Sequence, residues 1–95
     1  MTVFGYVIQT QYTGAGELMI RVRIPSIHGP YDKSQYDGKS VRNYVEDKDI
    51  PWCQSIILPE TPGKGDVVAV TALNEGNTNF LVIGLMGTTY KSTSK

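Results

Sequence analysis

This chain is poor in residues that crosslink or chelate: it has one cysteine, Cys53, and one histidine, His28. A lone cysteine closes no intrachain disulfide, and one Cys with one His makes no zinc set. Net charge is missing too, with nine basic residues balancing nine acidic ones. Phosphate binding is driven by excess positive charge, so the balance argues against a general nucleic-acid binder. No run approaches the ~18 apolar residues of a membrane-spanning helix. The N-terminus, Met1-Thr2-Val3-Phe4-Gly5-Tyr6, lacks the basic start, apolar core and cleavage site of a signal peptide, which points to synthesis in the cytoplasm. Helical periodicity and internal repeats are also absent.

What is present is strand pattern. In residues 18–24, Leu18, Ile20, Val22 and Ile24 fall on one face, and Met19, Arg21 and Arg23 on the other. A period of two is the signature of a strand with one face buried. Residues 3–12 are rich in β-branched and aromatic side chains and form a strand before it, with Phe4, Tyr6 and Ile8 on one side and Val7 and Gln9 on the other. Thr13-Gly14-Ala15-Gly16 is the turn, so 3–12 and 17–25 make a hairpin. Residues 51–59 form a third strand bracketed by prolines, 67–73 a fourth and 80–85 a fifth. Residues 74–79 are the hairpin loop between the last two. Between strands 2 and 3 lies a polar stretch, 26–51. A structureless segment of that length is uncommon in a compact domain and is often functional or bound to something.

Ninety-five residues make one small domain with a thin core, and such domains gain support from a disulfide, a metal or a neighbour. With the first two excluded, association is the support left. Five short strands suggest an all-β, five-stranded OB-type barrel with a long loop between strands 2 and 3. It spans 1–87, followed by a polar tail, 88–95. A generic OB-fold carries a helix between its third and fourth strands. Residues 59–65 are too short and too rich in proline and glycine for one.

Few residues offer chemistry. His28 could pair with Ser26 or Asp32, but no oriented nucleophile and no oxyanion site is visible. A lone His after a strand is read as a loop residue hydrogen-bonded to backbone. Cys53, beside Trp52 in an apolar strand, reads as a small buried hydrophobe. We expect no enzyme, no catalytic residue, no cofactor and no metal. Arg21 and Arg23 are either solvated or paired across a subunit boundary. The run Glu46-Asp47-Lys48-Asp49 reads as a solvated turn. Trp52 reads as a core anchor of the third strand. Gly63 and Gly65 form the turn into the fourth strand, which Asp66 caps. Gly84, inside the fifth strand, marks a bulge or a close backbone approach.

Several weak motifs recur in one order: Arg21-Val22-Arg23-Ile24-Pro25 with Ile27-His28-Gly29, then Pro51-Trp52, then Pro62-Gly63-Lys64-Gly65-Asp66-Val67-Val68-Ala69-Val70, then 80–87. From about Phe4 to Gly87 the chain resembles the OB domain at the base of the central spike in contractile phage tails. It is similar, too, to the matching domain of VgrG spikes in type VI secretion. The resemblance implies a three-fold ring on the tail baseplate of a virion, with the hub protein above and a spike or hydrolase below. This chain carries no lysozyme-like segment, and no needle follows Gly87. The spike or hydrolase is therefore expected on a separate chain, with no membrane insertion by this one. Arg21, Arg23, Ile27, His28, Tyr31, Tyr36 and Tyr44 are the expected subunit contacts. The alternative is an OB module that binds single-stranded nucleic acid, stacking bases on Tyr6, Tyr12, Tyr31, Tyr36, Tyr44 or Tyr90 beside the two arginines.

Overall fold

The computed structural model describes residues 2–39, 41–76 and 79–88. The tail beyond Thr88, with Tyr90, and two residues of the expected 74–79 loop, Asn77 and Thr78, lie outside them. Five strands follow in chain order: β1 Thr2–Tyr12, β2 Leu18–Arg23, β3 Trp52–Ser55, β4 Asp66–Ala72 and β5 Phe80–Thr88. They close in the order β1-β2-β3-β5-β4. All neighbours run antiparallel except β3 and β5. This is a small all-β OB-type barrel, with the long loop between its second and third strands as expected.

β1 is long because it serves two neighbours. Up to Tyr6 it pairs with β4, and from Tyr6 onward with β2. A bulge between Val7 and Gln9 bends it from one ladder toward the other. Its buried residues are Gly5 and Val7; Phe4 faces out, 47% exposed. The core gathers one alternating set from each strand: Val7, Ile20, Val22, Cys53, Val68, Val70 and Val82, with Ile24 just past β2. At ~25 cal/mol per Å², each fully buried aliphatic side chain contributes roughly 1.5–3 kcal/mol against the entropy of ordering the chain.

β3 is shorter than the expected 51–59. Its last ladder contact is Ile56 N–H to Val82 O at 3.0 Å, after which the chain turns away. Leu58 packs against the core, and Pro59 has no N–H to continue the ladder. Residues 56–65 carry no helix. The turn into β4 is built as expected: Asp66 Oδ2 accepts from Gly63 N–H at 2.8 Å, and Gly65 N–H donates to Val7 O at 2.8 Å.

One expectation is corrected. Trp52 pairs with Arg21 and lies outside the core, whereas Cys53, paired with Ile20, takes the inward position. β3 enters the barrel one residue out of phase with the core-anchor reading, and a one-residue step exchanges the two faces.

Candidate functional site

The described residues of the loop between β2 and β3 fold into a lobe, and Arg23 holds it. Arg23 ends β2 and is 0% exposed. Its Nη1 donates to His28 O at 2.8 Å. Its Nη2 donates to Val45 O at 2.5 Å and to Asp47 Oδ1 at 2.6 Å. The guanidinium carbon lies 4.4 Å from the centre of the Tyr44 ring. A buried charge is tolerable only when it is paired and hydrogen-bonded, and here one carboxylate and two carbonyls do that. Asp47 belongs to the acidic run read as a solvated turn; it stays largely in water yet spends one oxygen on Arg23. The alternation of β2 places Arg23 outward. The lobe folds over that face, so Val22 and Arg23 are both buried although they point to opposite sides.

His28 closes the first part of the lobe. The Pro25–His28 segment is a single helical turn entered from Ile24. Pro25 suits its first position, because the missing N–H has no partner there anyway. His28 Nδ1 accepts from Ile24 N–H at 2.9 Å, the backbone hydrogen bond expected of a lone loop histidine. Nδ1 being the acceptor, the neutral ring carries its proton on Nε2. Burial, and then the charge of Arg23, push its pKa down to about 4. Gly29 follows at φ 100°, where a Cβ would meet Tyr44 Cδ1 at 2.8 Å. Only glycine lets the Tyr44 ring lie against this backbone. Val45 N–H then donates to His28 O at 3.0 Å, tying the start of the lobe to its end.

The lobe tyrosines form its frame. Tyr36 and Tyr44 are in ring contact at 5.6 Å, and Tyr36 Oη donates to Arg42 O at 2.8 Å. Tyr31 reaches back to the barrel, its ring 5.3 Å from Tyr6. Lys33 pairs with Glu46 at 2.7 Å on the surface, which raises the lysine pKa, first through the hydrogen bond and then through the charge. Between lobe and barrel opens a cleft of about 760 Å³, with Ile8, Tyr31, Tyr44, Lys33 and Lys64 among its walls.

Of the expected contact residues, Arg23, His28, Tyr36 and Tyr44 meet in this one lobe, and Tyr31 joins it to β1. Ile27 stands at the surface, 36% exposed. Arg21 stands apart. It lies 4.5 Å from the Trp52 ring centre and donates from Nη1 to Gln9 Oε1 at 3.1 Å. Two residues along one strand face thus lead to different surroundings. Sequence reading missed Asp47 and Val45 as the partners of Arg23. The available signal was an arginine ending an alternating strand ahead of a loop with a glycine, a tyrosine and an acidic run.

Burial raises the Cys53 thiol to about 11, partly offset by a hydrogen bond from the Val22 backbone, so it stays protonated at neutral pH. Among the described residues, no three His, Cys, Asp or Glu side chains converge to hold a metal ion. Among them, too, no helix is long and apolar enough to cross a membrane. No protein-family model matches the chain, and no curated protein matches its sequence.

Proposed function

We propose that this chain is a structural ring component of a contractile tail hub, an OB-type barrel that joins the hub protein to a separate spike or hydrolase chain. The observation that carries the reading is an OB-type barrel whose strand order accompanies the motif order of 21–29, 51–52, 62–70 and 80–87. The burial of Arg23 weighs against the nucleic-acid alternative and also takes that residue out of the expected subunit contacts. Arg23 is buried and spent inside the lobe, so it is no free phosphate ligand, whereas Arg21 lies over Trp52 with one hydrogen bond to Gln9. The surface also carries large apolar side chains at Phe4, Ile57, Leu73 and Met86, which suits a protein with protein neighbours.

Light scattering of the purified chain, alone and with its hub partner, tests the reading. A trimer, alone or formed with the partner, is the expected result. A strict monomer under both conditions overturns it. The nucleic-acid reading has one feature in its favour, the cleft where Tyr31 and Tyr44 stand among lysines. In that cleft Lys33 is held by Glu46, and Asp47 adds negative charge. Titration with labelled single-stranded DNA at low and moderate salt decides: tight, salt-sensitive binding would replace the hub reading.

A further inference from the structure

The lobe is loosely joined to the barrel. One gap between them is the cleft of about 760 Å³ that Ile8 and Lys64 share with Tyr31 and Tyr44. A second is a cavity of about 280 Å³ between Ile27, His28 and Ile50 of the lobe and Val22, Cys53 and Phe80 of the barrel. Close packing gives an interior its cohesion, and this joint lacks much of it. The barrel core needs nothing from the lobe, since its buried cluster draws on the five strands and Ile24. Its ladders, with a bulge in β5 beside Gly84 as that glycine's position suggested, also run from strand to strand alone. A segment joined in this way can open as one cooperative unit while the rest stays folded.

Polar ties hold the joint, and two of them fail on taking up a proton. Arg23 reaches from β2 to His28 O, Val45 O and Asp47 Oδ1, and Ile24 N–H donates to His28 Nδ1. The one ion pair of Arg23 is with Asp47, whose side chain is 60% exposed. Neutralising that carboxylate strands a buried cation. The His28 ring carries its proton on Nε2, so a second one lands on Nδ1 and sets two donors against each other at Ile24. It also creates an imidazolium beside Arg23, whose charge opposes it. The other titratable groups around the ring do not compensate. Asp49, in the wall of the same cavity, lies 3.4 Å from Lys48, and Cys53 on β3 is a neutral thiol in acid.

We propose that the lobe is an acid-released latch: as pH falls it parts from β2 as one unit, while the five-stranded barrel stays closed. The direction follows from linkage. A lobe swung free leaves the His28 ring in water, where it binds a proton more readily than in the closed latch. Protons therefore favour the open form. Between pH 7 and pH 4 its population relative to the closed form should rise on the order of 100-fold from His28 alone. Loss of the Asp47 charge adds to this. Opening bares Arg23 and Ile50, which the closed latch hides from solvent. The latch goes beyond the hub reading and does not depend on it.

The test is hydrogen exchange of the full chain, read residue by residue by NMR from pH 7 to pH 4 and corrected for the pH dependence of exchange in free peptides. The Ile24 amide and the buried Arg23 Nε proton report on the latch, and the amides of β4 report on the barrel. Latch protection should fall on the order of 100-fold relative to β4. Asp47→Asn should open the latch at pH 7, without acid, by at least about ten-fold, because Arg23 then lacks its counter-charge. His28→Gln should remove the histidine part of the pH dependence. Equal loss of protection in β4 means that acid unfolds the whole chain, and overturns the latch. Latch protons that stay protected down to pH 4 overturn it too. The wild-type profile decides by itself if a variant fails to fold.

Discussion

Arg21 and Arg23 sit two residues apart on one face of one strand, and they do different work. Arg23 is sealed under a lobe and holds three oxygens and a ring. Arg21 lies half-covered beside Trp52 with one hydrogen bond to Gln9. The value of a charge depends on how much water it has lost and how many partners replaced it. On β2 that changes completely over about 7 Å of chain.

The sharpest way to break the comparison is to truncate both. Arg23→Ala leaves two carbonyls and the Asp47 carboxylate without their donor, and should cost about 3–5 kcal/mol in urea or thermal unfolding. Arg23→Lys should recover only part of this, because an ammonium cannot span the same fork of acceptors. Acid should find the same region next. The folded His28 titrates at about 4 against 6.5 for a free imidazole, so the unfolded chain takes up the proton first as pH falls. Stability should therefore decline from about pH 6.5 to about pH 4 by at most about 3 kcal/mol, then level off for this group. Denaturant midpoints across that window measure it. His28 is the single histidine, so the histidine part of the slope should vanish in His28→Gln.

Gly29→Ala should cost about 2 kcal/mol, since it adds a strained positive φ and a collision with Tyr44. If Tyr44 shifts, its ring should lose contact with Arg23, visible as a changed tyrosine near-ultraviolet signal. The smallest effect should be Arg21→Ala, about 0.5–1 kcal/mol, the worth of a partly exposed cation–ring contact. Equal losses at Arg21 and Arg23 would erase the distinction drawn between them.

The strands were legible because period two survives in sequence. The buried face of β2, with Ile20, Val22 and Ile24, can be read straight from the residues. The fate of Arg23 was not legible. Alternation tells which side of a strand a residue takes, and says nothing of what later covers that side. The cover arrives from Val45 and Asp47, more than twenty residues on, across a segment with no periodicity. Trp52 failed in the complementary way. Its size suggested the core, but the pairing register with Arg21 decided its face. His28 was read correctly as a backbone-bonded residue, because a lone histidine has few other ways to be satisfied.

The closure of the lobe has an engineering consequence. Its two ends are clamped to each other through Val45 N–H to His28 O and through the fork of Arg23. The barrel therefore sees a fixed stem, whatever the span between the clamps contains. Doubling the length of a clamped loop costs only about 0.6 kcal/mol of closure entropy. The exposed stretch around Asp37, Gly38 and Lys39 is thus a port. A peptide tag, a fluorophore site or a small domain grafted there should ride on the lobe and leave the barrel's fold and its strand edges as they are.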